Sequence, residues 1–382
     1  MKHRLFIITV ILLFLFPLTL QALTLDEEKK YGKEVYFEIT KSATLNNDPY
    51  LAFYLKTIKD RLESVVSLPF PIVLTILESQ SPNAFATLGG YVYITTGLIA
   101  LCDREEELAG VLAHEFAHIG RRHIAKRLEK QKFINVGVLA TMLLSMAVGD
   151  SRAKEAIMTT GAASASALSL KYSREDEDEA DRAGSQNADK AGYGGLGTAE
   201  FLKKLRATGG DKTLPQYLLT HPYHDERIIK IENQWAGSKV TVKTDFFPFL
   251  LVRVKIIHKP MGAPLDDTWV SRYLKDKNDP VNAYAASLIY SLKGNMNEAV
   301  DIVTAIRSPF KNMFMGELLV SARRFSEAIM ALKDQTSSLS RYYLALAYEG
   351  TGNYQMAADT LRDLSRYGST YPELYQKLGM IV

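Results

Sequence analysis

Residues 109–123 read AGVLAHEFAHIGRRH, with two histidines four positions apart and a glutamate directly after the first. On an α-helix, positions i and i+4 share a face one turn apart. His114 and His118 can therefore aim imidazole nitrogens at one ion, while Glu115 projects beside them toward a bound water. The same letters also fit two partly buried histidines satisfied by hydrogen bonds, so the motif alone does not decide. A hydrolytic zinc needs a third protein ligand and an open fourth position. No histidine occurs about six residues beyond His118, and His123, five residues on, falls on another side of a continuous helix. The third ligand must come from elsewhere. The stretch KYSREDEDEADRAG (171–184) offers Glu175, Asp176, Glu177, Asp178, Glu179 and Asp181 at helical spacing. Spacing does not choose among them, and a charge run is by default a solvated face.

Around the motif, Asp103 followed by Glu106 predicts a capping box that opens a helix running to about Lys130. FPIVLTILES (70–79) and GGYVYITTG (89–97) are β-branched and aromatic runs bounded by Pro, Gly and Ser, and predict strands of a small sheet. Before them, LDEEKKYGKEVYFEITK and NDPYLAFYLKTIKDRLESVV carry apolar residues at three- and four-residue spacing and predict two surface helices, the second capped by Asn47 or Asp48. After the motif helix, residues 133–148, FINVGVLATMLLSMAV, are too short for a comfortable membrane span and predict a buried or interface helix, with peripheral contact to a bilayer surface as the further expectation.

With 382 residues, of which 47% are hydrophobic, the chain can bury two or three cores. Its first 22 residues combine Lys2 and Arg4, an apolar run from Leu5 to Leu18 and a small residue at Ala22, the layout of a cleaved secretory leader. Cys102 is the one cysteine, so no intramolecular disulfide framework exists even for an oxidising destination. The formal charge of +3 falls further when Lys2 and Arg4 leave with the leader, which argues against nucleic-acid partners.

From about residue 281 a repeat emerges. GNMNEAV at Gly294, ARRFSEAI at Ala322 and GNYQMAA at Gly352 align Met296, Phe325 and Tyr354 in one column and Ala299, Ala328 and Ala357 in another, at a period of 29. Tyr290, Leu319 and Tyr348 keep the same period. A large residue three positions before a small alanine suits stacked helical hairpins, because alanine lets paired helices approach. The units resemble tetratricopeptide repeats with a shortened period.

HEFAH followed by EDEAD resembles the pattern of the membrane-associated and periplasmic zinc metallopeptidases related to HtpX and the CAAX prenyl proteases, H-E-x-x-H and then E-x-x-A-D on a later helix. The resemblance covers roughly residues 26–235, and with the helical tail it is most like the periplasmic BepA-type peptidases. It implies a mainly α (α+β) fold: a zincin-like metallopeptidase domain with a small β-sheet and an active-site helix, then a helical TPR-like repeat domain. The domain expectation is a leader at 1–22, a peptidase domain at 23–238, a connector at 239–280 and repeats at 281–382. One Zn2+ per chain would be held by His114, His118 and Glu177, with Glu115 as general base and Asp181 orienting a ligand histidine. LLTHPYHDERI resembles the H-P-x-x-x-x-R segment of BepA-type members. His221 and Arg227 match it and His224 does not, so His221 would face the zinc, as an oxyanion electrophile or as a plug on the open position. NAFATLGGYVYITTGLIAL (83–101) resembles the family's edge strand beside the cleft, which implies substrate contacts at Asn83, Ala84 and Phe85, with Arg227 grouped among them. The implied partners are unfolded or misfolded envelope proteins in the periplasm and outer-membrane assembly machinery reached through the repeats. An envelope chaperone or assembly adaptor with latent proteolysis is the alternative.

Overall fold

The structure, a computed structural model, describes residues 22–129, 136–148, 171–208, 217–222, 225–238 and 245–364. The expected leader, apart from Ala22, and the small-residue stretch 161–170 lie outside the described residues. Two helices come first, α1 (Leu25–Ser42) and α2 (Pro49–Glu63). Asp48 is the cap that α2 uses: its carboxylate accepts from the Tyr50 amide at 2.9 Å, and Pro49 occupies the first turn, where a missing N–H costs nothing.

The sheet comprises β1 (Val73–Leu77), β2 (Ala84–Ala86) and β3 (Tyr91–Thr95), in the order β1-β3-β2. β1 runs parallel to β3, with Val73 opposite Tyr91, and β2 runs antiparallel, with Phe85 opposite Tyr93. β1 and β2 are thus the two edges among the described strands, β2 being the one in the 83–101 stretch where an edge is expected. A short helix, α3 (Thr96–Leu101), leads to the motif helix α4 (Glu105–Gly120).

α4 departs from expectation at both ends. Arg104 stands at its N-cap without a side-chain cap, and Asp103 makes no capping box: its own amide donates 2.9 Å to the Glu107 carboxylate. Glu105, Glu106 and Glu107 supply the favourable charge at the positive end of the helix instead. The helix does not continue to Lys130. Arg122, at φ 54°, turns the chain into a separate helix, α5 (His123–Glu129). Nearly every α4 side chain is buried, His114, Glu115 and His118 among them.

α6 (Val136–Val148) buries Leu139, Ala140, Met142 and Leu143 with Val35 and Ile39 of α1, the interior contact expected of the 133–148 run. No helix among the described residues is long and apolar enough to cross a membrane. α7 (Arg174–Lys190) is opened by a capping box between Ser173 and Asp176, and α8 (Gly197–Thr208) packs beside it on α4. Both helices approach α4 through glycine. A Cβ on Gly184 would lie 2.8 Å from the His114 Cα, and one on Gly110 would lie 2.5 Å from the Thr198 nitrogen. Short helices α9 (Tyr217–Thr220) and α10 (Asp225–Gln234) complete this part.

The expected connector is a structural element. It contains α11 (Phe247–Ile257) and α12 (Thr268–Lys275), and α11 buries Phe247, Phe249, Leu250, Val252 and Val254. Arg253 on α11 is 6% exposed and joins Asp48 (2.6 Å) to Glu317 (2.7 Å), tying the sheet-bearing part to the helical tail. One hydrophobic cluster accordingly runs through both regions.

Beyond it, α13 (Pro280–Leu292) with α14 (Met296–Ala305), α15 (Lys311–Ser321) with α16 (Phe325–Leu332), and α17 (Ser338–Gly350) with α18 (Tyr354–Arg362) form three helical hairpins. Ala299, Ala328 and Ala357 are all 0% exposed, as the 29-residue alanine column requires. Phe325 covers Gly350 so closely that a Cβ there would meet its ring at 2.5 Å.

Candidate metal centre

α4 and α7 pack directly on each other, with Gly184 against His114. Glu177, Asp181 and Gly184 recur at helical spacing on one buried face of α7, so the contact that admits Gly184 also carries both carboxylates to the histidines of α4. His114, His118, Glu177 and His221 are 0–1% exposed, and one donor atom from each lies within 4.8 Å of the others.

The spacings test whether these residues fit a cation. His114 Nε2 is 3.0 Å from His118 Nε2, 3.3 Å from His221 Nδ1 and 3.6 Å from Glu177 Oε2. Glu177 Oε1 is 3.5 Å from His118 Nε2 and 3.0 Å from His221 Nδ1. A tetrahedron with bonds of about 2.05 Å has edges of about 3.3 Å. Three imidazole nitrogens and a carboxylate facing a common point suit a dication and would otherwise leave lone pairs in mutual repulsion. The donor set fits one zinc ion.

Two residues brace the carboxylate side. Asp181 Oδ1 lies 2.9 Å from His114 Nδ1, where it holds the ring with Nε2 toward the cluster. Arg227 forks onto Asp181 at 2.7 and 2.8 Å and reaches Glu177 Oε2 at 2.6 Å. Burial works against charge on both carboxylates, but Arg227 outweighs it: Glu177 is lowered, and Asp181 lies well below the usual carboxylate range.

Glu115 occupies the opposite condition. It is fully buried, and neither carboxylate oxygen has a well-formed hydrogen bond; the Ala86 backbone and His221 are its polar neighbours. Burial raises its pKa, with His221 and His114 opposing the shift. A carboxylate moved toward neutrality is suited to taking and returning a proton.

The sequence expectations fare unevenly here. His114, His118, Glu177, Glu115 and Asp181 come together as expected. His221 also faces this cluster, as expected of it, and its ring is stacked on Tyr217 at 4.4 Å. Arg227 is 0% exposed and pairs with carboxylates, so it is not placed to touch a substrate. Asn83, Ala84 and Phe85 are 0–2% exposed, with Phe85 stacked on Tyr93 inside the sheet. Main chain and side chain alike are buried there. Thr95 donates to the Asn83 carbonyl and Thr87 to the Tyr91 carbonyl, so antiparallel alternation turns the main-chain groups of Ala84 and Ala86 away from β3. Two neighbours escaped the sequence reading. His123 Nδ1 lies 2.8 Å from His118 Nδ1, and the Tyr172 ring stacks on His118 at 3.7 Å. His123 was discounted by a helical wheel that the turn at Arg122 invalidates; no local pattern marks Tyr172.

Comparison with known proteins bears on the same residues. The description "Peptidase family M48" matches residues 51–234. The chain is similar to the putative beta-barrel assembly-enhancing protease of Vibrio cholerae, at 28% identity over 74% of this chain and 60% of that protein. It is similar to the beta-barrel assembly-enhancing protease of Yersinia pestis, at 32% over 62% of this chain and 49% of that one. The protein of that name from Escherichia coli (strain K12) is 26% identical over 89% of this chain and 73% of its own length. The chain thus spans about half to three quarters of these curated relatives.

Proposed function

Taking residues 51–234 as a member of peptidase family M48, we propose that the protein is a zinc-dependent endopeptidase that hydrolyses peptide bonds of unfolded or misassembled envelope proteins. The observation that carries this reading is Glu115, a buried carboxylate without a well-formed hydrogen bond beside three imidazoles and Glu177. Burying a carboxylate so sparsely partnered costs stability, and hydrolysis needs a base at that position.

His114, His118 and Glu177 hold the metal in this proposal. Zinc, when bound, supplies Lewis acidity and lowers the pKa of a water. The Glu115 carboxylate takes a proton from the attacking water and returns it to the leaving amine. Asp181 fixes the His114 ring, and Arg227 keeps Asp181 and Glu177 charged and in place. In this proposal an extended substrate adds as a strand at the β2 edge once that buried edge is uncovered, a mode that reads backbone rather than side chains and suits unfolded chains.

His221 acts as a plug in this reading. It fills the fourth position with all four donors buried, so substrate enters only after His221 leaves. The 29-residue repeats bind substrate or partner, and a periplasmic location follows from the leader. The names of the similar proteins support a part in outer-membrane β-barrel assembly. The closed four-donor set also favours a second reading, an assembly adaptor whose zinc is structural and whose proteolysis is latent.

Zinc content and casein digestion by the full chain, with and without chelator, separate the two. The peptidase reading expects about one zinc per chain and digestion that chelator abolishes. Glu115→Gln should keep the zinc and lower turnover about 100- to 10,000-fold. A Gln variant that digests casein at the parent rate removes Glu115 from the chemistry. Proteins that accumulate on the inactive variant in the envelope would identify substrates.

A further inference from the structure

We propose that His123 is a positioning residue for His118, fixing the tautomer of that ligand through a hydrogen-bond chain that ends on Glu179. The inference rests on the metal-site reading above and concerns a residue outside the four-donor cluster. His118 turns Nε2 toward the cluster, and its Nδ1 lies 2.8 Å from His123 Nδ1. Two ring nitrogens at that distance share one proton. His118 must present the Nε2 lone pair to a cation, so its proton resides on Nδ1 and is donated to His123 Nδ1. The proton of His123 is then on Nε2, which lies 3.2 Å from Glu179 Oε2 and 3.8 Å from Asp176 Oδ1. Arg121 sits 3.2 Å from Glu179 Oε1, and Arg127 sits 3.2 Å from Asp176 Oδ2, so both acceptors face a cation.

The two motif histidines are therefore held differently. His114 leans directly on a buried carboxylate, whereas His118 leans on a second imidazole, 2% exposed, that relays to the partly exposed Glu179. The turn at Arg122 makes this geometry, because it starts a new helix at His123 and returns that ring to His118.

The test is zinc release from the full-length chain to excess chromogenic chelator, together with ring-nitrogen NMR of the zinc-loaded protein labelled at histidine. His123→Leu should release zinc about 10- to 100-fold faster than the parent, the usual cost of losing a partner of a ligand histidine. His123→Asn, whose Oδ1 can stand where Nδ1 accepts, should stay within a few-fold of the parent. Glu179→Ala, a change at a partly exposed position, should release zinc a few-fold faster. The spectrum should show His118 protonated at Nδ1 and His123 at Nε2. Equal release by the parent and the Leu variant, equal loss in the Leu and Asn variants, or a His123 proton on Nδ1 would each overturn the proposal. If the Leu variant does not fold, the Glu179→Ala release rate and the parent spectrum decide. A parent that binds no zinc would sink the metal reading itself, an outcome distinct from failure of the His123 variants alone.

Discussion

Nε2 of His221 lies 3.4 Å from Oε1 of Glu115, and both side chains are fully buried. The residue proposed to shut the site thus sits against the residue proposed to work in it. His221→Ala should vacate the fourth position, admit water to Glu115 and raise basal casein digestion several-fold, with zinc still held by three ligands. A fall in turnover with unchanged zinc content would instead assign His221 to stabilising the oxyanion.

Arg227 is the permanent counter-charge for two buried carboxylates, and removing it leaves them only imidazole partners. Arg227→Met keeps much of the volume and none of the charge. It should cost about 3–5 kcal/mol in denaturant unfolding. Arg227→Lys should recover part of that loss, because a point charge cannot reproduce the bidentate fork on Asp181. A Met variant as stable as the parent would show that the network contributes nothing net.

Gly184 sets the distance between the helices that supply the metal ligands. In Gly184→Ala the new Cβ would meet the Cα and nitrogen of His114 at 2.8 and 2.9 Å, backbone atoms that cannot rotate aside. The helices must part, at about 1–3 kcal/mol for overpacking. Zinc per chain should fall along with thermal stability. Full zinc occupancy in the Ala variant would mean that Glu177 and Asp181 tolerate the shift.

His258 carries the predicted pH dependence. Its Nε2 is 3.0 Å from Asp48 Oδ2 and its Nδ1 3.0 Å from Glu78 Oε2, with Arg253 sharing the same Asp48 oxygen. Burial opposes the charge, but the two carboxylates prevail and the imidazole is pushed up to about 9. A pKa raised on folding adds stability that is complete below the unfolded value near 6.5 and is lost as pH rises through about 9. The contribution is about 3 kcal/mol. Urea unfolding at pH 6 and pH 10 should show a larger loss in the parent than in His258→Gln. Equal losses would place the alkaline sensitivity elsewhere.

The sequence by itself determined what is local and periodic. The four-residue spacing puts His114 and His118 on one face, a cap at Asn47 or Asp48 begins α2, β-branched runs make β1 and β3, and the 29-residue period places Ala299, Ala328 and Ala357 in the helical hairpins. The choice of Glu177 among six nearby carboxylates came from family resemblance, since helical spacing admits several. Only the tertiary structure decided that His221, 107 positions from His114, comes within 3.3 Å of that ring, that Arg227 turns inward, and that His123 meets His118. The physical reason is that helix and strand periods are set by backbone geometry within a few residues. Contacts across the chain depend instead on how closely helices can pack, and here Gly184 and the positive φ at Arg122 set those approaches.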